Sequence, residues 1–261
     1  MHGIAYDPVH DEVLVPNPLA AAILVFRGGA KGDEAPVRVI QGGKTQLSFP
    51  HSLSIDVQNN EIIVGDPGGK KVLVFPLNAT GDVAPLRVIE GDKTRLGYVV
   101  GVAADPVNNL LVISSFSSAG NGLFIFNRAD NGNLAPRAAI AGSNTGIRGG
   151  PWQVQVWQGK IFVSVANIDY RPLYHLDKPR VGPDTEIISP WNDMKLGLGF
   201  IGVWNITDNG DVPPRAIVRG PASGLLHPSG IALNPEFGEV MATDSVRNGT
   251  FTYLVPEFFR N

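Results

Sequence analysis

GVAADPVNNLLVISS, Gly101 to Ser115, is two apolar, β-branched runs either side of Asp-Pro-Val-Asn-Asn. Runs of that length and composition read as strands, and Asp, Pro and Asn supply the dihedrals and side-chain capping of a tight reversal, so the stretch is a β-hairpin. Moving outward, GLFIFN from Gly122 reads as a third strand. GNLAPRAAI then carries a turn into a fourth, with Pro136 beside its start. A proline there suits an outer edge, where a missing N–H is harmless.

The unit recurs. Hairpins of the same kind are GIAYDPVHDEVLVPN from Gly3, SLSIDVQNNEIIVGD from Ser52, QVQVWQGKIFVSV from Gln153 and GIALNPEFGEVMATD from Gly230. AILVFR, KVLVFP, GFIGVW and TFTYLV follow as third strands, and GDEAPVRVI, GDVAPLRVI and GDVPPRAIV lead into fourth strands. Pro36, Pro85, Pro136 and Pro214 lie 49, 51 and 78 residues apart, so the unit is about 49 residues and the fourth carries an insertion of about 27. Four antiparallel strands per unit at this period predict an all-β fold, a β-propeller of five blades in a single domain. The expected blades are 3–49, 50–98, 99–149, 150–226 with an insertion at 168–198, and 227–261. The small apolar first strands should line the central channel. The last blade ends at TFTYLVPEFFRN without an evident fourth strand. The expectation is a three-stranded blade blunted by Pro256, or completion by upstream sequence, in preference to exchange with another chain.

GGKTQL, Gly42 to Leu47, holds the Gly-Lys-Thr of a phosphate-binding loop, but Arg38 stands where that loop needs its first glycine, and a strand pattern follows instead of a helix. GDKTRL at Gly91 and GSNTGI at Gly142 repeat it, so it is architecture. Composition excludes other classes. The chain has 31 glycines and 21 prolines, suited to short strands and tight turns, and is 17% charged with a net charge of −3. Its basic residues are evenly spread, so no nucleic-acid partner is expected. No apolar run reaches the ~18 residues of a membrane span. With no cysteine, disulfides, thiol catalysis and cysteine metal sites are excluded.

The pattern P-x-G-I-A-x-D-P…VLV-x-[ND]…ILVF resembles NHL-type and lactonase-like β-propeller repeats, a group that includes gluconolactonases of the regucalcin type, virginiamycin lyase and the peptide-amidating lyase. The resemblance covers nearly the whole chain apart from about 168–198, and it rests on turns and strand cores, which carry fold more than activity. It implies an exported, extracytoplasmic setting. It also implies calcium held by oxygen ligands at the channel mouth, with Asp66, Asn167, Asp169 and Asp244 as the matching positions. No glutamate of the gluconolactonase kind precedes the first blade.

Two sets of residues carry the functional expectations. His2 and His51 share a repeat position, and His227 lies two residues before the equivalent Ser229, so three imidazoles at a channel mouth are candidates for a zinc site. Val100 and Trp152 occupy that position in blades three and four. The insertion, rich in Tyr, Trp, His and Asp, joins the loops from fourth to first and from second to third strands on one face. Ligand-binding candidates there are Tyr170, Tyr174, His175, Trp191, Trp152, Asp66, Asn167 and Asp244. Long loops in compact repeats are more often functional than not. The function expected is therefore a scaffold that binds a small molecule or protein on that face. The alternative is a metal-dependent, lactonase-like hydrolase or lyase acting at the channel mouth. Arg38, Arg87, Arg137 and Arg215 on the outer strands are expected to cover apolar edge surface with their stems.

Overall fold

In blades one to three the hairpin is closed by a buried aspartate. Asp7, Asp56 and Asp105 end the first strands, and their carboxylates accept the amides of Val9, Asn59 and Asn108 at 2.9, 3.0 and 3.1 Å. The residue opening each second strand is left-handed, with φ of 53° at Asp11, 55° at Asn60, 54° at Asn109 and 67° at Gly238. Asp, Asn and Gly are the residues that tolerate this. The turn chemistry read from the sequence is therefore what reverses the chain.

The structure, a computed structural model, describes residues 3–117, 120–166 and 199–260. Its strands form five antiparallel sheets around a central channel. Blade one is β1 (Ala5–Asp7), β2 (Glu12–Asn17), β3 (Ala22–Arg27) and β4 (Arg38–Gln41). Blade two is β5 (Ser52–Asp56), β6 (Glu61–Asp66), β7 (Lys71–Pro76) and β8 (Arg87–Ile89). Blade three is β9 (Tyr98–Asp105), β10 (Leu110–Phe116), β11 (Gly122–Asn127) and β12 (Ala138–Ile140). Blade four is β13 (Gly150–Trp157), β14 (Lys160–Ala166), β15 (Phe200–Asn205) and β16 (Ala216–Val218). Blade five has three strands, β17 (Pro228–Asn234), β18 (Glu239–Asp244) and β19 (Gly249–Leu254). The fold is the propeller the repeat predicts, three-stranded last blade included. Pro256 opens a 3₁₀ turn, Pro256–Phe259, that packs Phe258 and Phe259 against blade four.

Side chains alternate across each blade, so every blade presents two apolar faces, and the core consists of the seams between them. Four such seams are packed, joining blades one to two, two to three, three to four and four to five. Between blades five and one lies a cleft of about 480 Å³, bordered by Gly3 and Ile4 on one side and by Ala232, Met241 and Thr250 on the other.

The GxxT stretches are 3₁₀ turns that carry the chain from one blade to the next. The hydroxyls of Thr45, Thr94, Thr145 and Ser223 each donate to the carbonyl of the glycine three residues earlier, and each accepts the amide two residues later. A second device stitches the rim. Gly81 donates to the Val39 carbonyl at 2.7 Å and accepts from Gln41 at 3.1 Å, and Asp82 then accepts the Lys44 amide at 2.7 Å. Gly132 with Asn133, and Gly210 with Asp211, repeat this one and two blades further on. The glycines sit at φ 71°, 83° and 85°, where a Cβ would be strained.

The outer-strand arginines do more than cover surface. Arg38 pairs with Glu12 and donates to the Leu77 and Ala79 carbonyls of the next blade. Arg215 pairs with Asp208. Arg87 meets the buried Glu61 through two 2.8 Å bonds, and Arg128 adds a third at 2.9 Å. Burial pushes the Glu61 carboxyl up, but the two guanidiniums outweigh it and hold the group below its ordinary value. The resulting stability is fully present above the unfolded value of about 4.3 and is lost as pH falls through the folded one. Glu61→Gln should lower stability at pH 7 by about 1–3 kcal/mol and lose less than the wild type between pH 7 and pH 3, as read from urea midpoints. Equal acid sensitivity in the two proteins would contradict this.

Candidate functional site

The mouth of the channel is shaped by three β-bulges, at Ser114/Ser115, Pro151/Val154 and Pro228/Gly230. A bulge adds a residue to one strand, turns a side chain out of register and frees a carbonyl. Val100 lies at the first and Trp152 and Gln153 at the second. The His51 ring donates through Nδ1 to the Val100 carbonyl at 3.2 Å, and the Ser114 hydroxyl donates to the Trp152 carbonyl. Gln153 accepts the Ile231 amide at 3.3 Å. A chain of hydrogen bonds thus runs across the inner strands from blade two to blade five.

Above it five rings from four blades converge. The Trp152 ring centre is 5.9 Å from that of His51, 5.4 Å from His227 and 6.2 Å from Phe116. Tyr98 lies 5.0 Å from Phe116 and 6.2 Å edge-on from His51. Both histidines are buried, and His227 Nδ1 is 2.7 Å from the Ser245 hydroxyl. The arrangement is an apolar, polarisable floor with imidazole edges.

Of the residues singled out in the sequence, His51, Trp152 and His227 meet here. Asp66 and Asp244 stand beside the mouth, but their oxygens are directed to backbone. Asp66 accepts the amides of Ser48, Phe49 and Gly69 at 2.6, 2.9 and 3.2 Å. Asp244 accepts those of Leu226, His227, Val246 and Arg247 at 2.7 to 3.1 Å. They hold the loops on which His51 and His227 are mounted. His2, Asn167, Asp169, Tyr170, Tyr174, His175 and Trp191 lie outside the described residues. Among the described residues no three His, Asp or Glu side chains are grouped so as to hold a metal ion.

Sequence reasoning passed over Tyr98 and Phe116. They are cross-strand partners at the ends of β9 and β10, which are 8 and 7 residues long against 5 and 6 for β5 and β6. The signal was the apolar run reaching past the repeat, YVVG at one end and SSF at the other.

No family model matches the chain, and no curated protein matches it. Among solved structures it is similar to Kuenenia stuttgartiensis hydrazine synthase, with a TM-score of 0.60 and 8% identity over 93% of this chain. The chain spans 55% of that protein's length. A nidogen/laminin complex gives a TM-score of 0.58 at 14% identity, covering 99% of this chain and 81% of the other. The WD40 β-propeller domain of Doa1 gives 0.54 at 12%, covering 97% and 68%. At such identities the likeness is one of fold: the chain is a β-propeller.

Proposed function

We propose that this propeller is a binding scaffold that receives a small molecule or protein on its mouth face, where the inter-blade loops and the blade-four insertion emerge. The observation that carries the reading is the convergence of His51, Tyr98, Phe116, Trp152 and His227, drawn from four blades onto one spot. Rings so placed offer flat faces, which select ligands with a flat apolar side such as an aromatic ring or the C–H face of a sugar. Loop amides supply hydrogen bonds around them. The insertion supports the same reading. Ala166, the last described residue before it, pairs with Gly150 two residues from Trp152, so β14 ends at the mouth.

The test is a screen of mono- and oligosaccharides and aromatic acids by tryptophan fluorescence and thermal shift. A ligand of the mouth should bind folded Trp152→Ala, titrated below that variant's own Tm, at least about tenfold more weakly, and should bind the wild type equally well with a chelator present. Ligands indifferent to Trp152→Ala would refute the mouth as the site. Binding or turnover abolished by the chelator would favour the metal-dependent hydrolase or lyase.

A further inference from the structure

Blade five and its neighbours hold three halves of junctions that are complete elsewhere. At the first, the Ile217 carbonyl and the Arg219 amide stand where Val39 and Gln41, Val88 and Glu90, and Ala139 and Ala141 each clasp the turn glycine of the following blade. The Ala222 amide likewise occupies the place of Lys44, Lys93 and Asn144, which donate to an Asp or Asn after that glycine. At the second, β19 has no outer neighbour among the described residues. Its Thr252 corresponds to Val25, Val74 and Val203, whose carbonyls accept from Val37, Leu86 and Arg215 of the outer strands at 2.7 to 2.8 Å. At the third, Gly32 and Asp33 of blade one match Gly81 and Asp82. Gly32 has φ 61° against 71° at Gly81, and among the described residues neither it nor Asp33 makes the bonds that Gly81 and Asp82 make.

We infer that these three half-junctions form one docking site for an extended peptide strand from a partner polypeptide, built on the pattern G-[DN]-x-x-P-x-x-x-I-x-G-x-x-T that the segments from Gly81 and Gly132 share. The molecule supplies the template, because blades two and three seat such a segment at three matching points. The leading Gly-Asp would clasp Ile217, Arg219 and Ala222. The middle of the strand would pair with β19, and the trailing Gly-x-x-Thr turn would be capped by Asp33. A second copy of this chain has no such strand to lend, since its four outer strands are seated in blades one to four. An unpaired strand edge is a template for addition of this kind.

The probe is a synthetic peptide of this chain's own Ala79 to Arg95, added to the full-length protein. It should bind one to one and raise the Tm, by fluorescence anisotropy and thermal shift, and a scrambled peptide should do neither. Thr252→Pro removes only the outward N–H of an edge strand, which such strands tolerate. It should weaken the peptide about tenfold or more. Should that variant misfold, Asp33→Ala, an exposed change, should still weaken binding several-fold. Absence of saturable binding, or binding that neither variant weakens, would overturn the inference. So would a protein that is dimeric by light scattering through this edge and is not dissociated by the peptide.

Discussion

Trp204→Ala should cost about 3–5 kcal/mol, the range for deleting a large aromatic side chain from a packed core. Trp204 is fully buried in the seam between blades three and four, and its ring N–H donates to the Val212 carbonyl at 3.1 Å. Its ring lies over Gly202, where a Cβ would come within 2.4 Å of it. Backbone therefore forms one wall of the slot, and backbone cannot collapse far into the space left behind. Both a cavity and an unpaired carbonyl result. Trp204→Phe should cost less, because it keeps most of the volume and loses mainly the hydrogen bond. Guanidinium denaturation measures both, and a cost below about 1 kcal/mol for the alanine variant would show that the seam repacks.

Asp66→Ala is the second large effect. The carboxylate is fully buried and three backbone amides donate to it. Unsatisfied buried donors cost about 1–3 kcal/mol each, so a total of roughly 2–6 kcal/mol follows when one of the three regains water. Asp66→Asn retains one carbonyl acceptor and should recover about half. The pair also separates two roles for this residue. If Asp66 is only a cap, Asp66→Ala lowers ligand affinity in proportion to lost folded protein, whereas if it also touches the ligand, the affinity of the folded fraction falls as well. Thermal denaturation and titration on the same samples decide between them.

The sequence carried the fold because each blade is local. Asp-Pro and Asn-Asn turns, alternation and a proline before each outer strand are short-range signals, and five copies made them legible together. Glu61 with Arg87 was half legible. The arginine recurs visibly, but its partner is 26 residues away on another strand, and only the register between β6, β7 and β8 brings them together. The mouth was legible where it follows the repeat, at His51 and His227, and illegible where it departs from it. Bulges shift side chains by one residue, which no period detects, so Phe116 and Tyr98 were missed. Asp66 and Asp244 show the converse: the residue type suited a ligand site, and backbone amides had already engaged the oxygens.

Four packed seams among the described residues of five blades place the molecule among linear arrays as much as among rings. In a linear array each unit is coupled only to its neighbours, and the terminal units open first. Among the described residues blade five is such a unit, its packed seam being the one with blade four. It also carries His227, one of the five rings at the mouth. Whatever steadies blade five therefore keeps that ring in place, and whatever grips the ring steadies blade five. A strand on the outer edge and a ligand at the channel mouth would draw on one local opening equilibrium. They would strengthen each other reciprocally without touching.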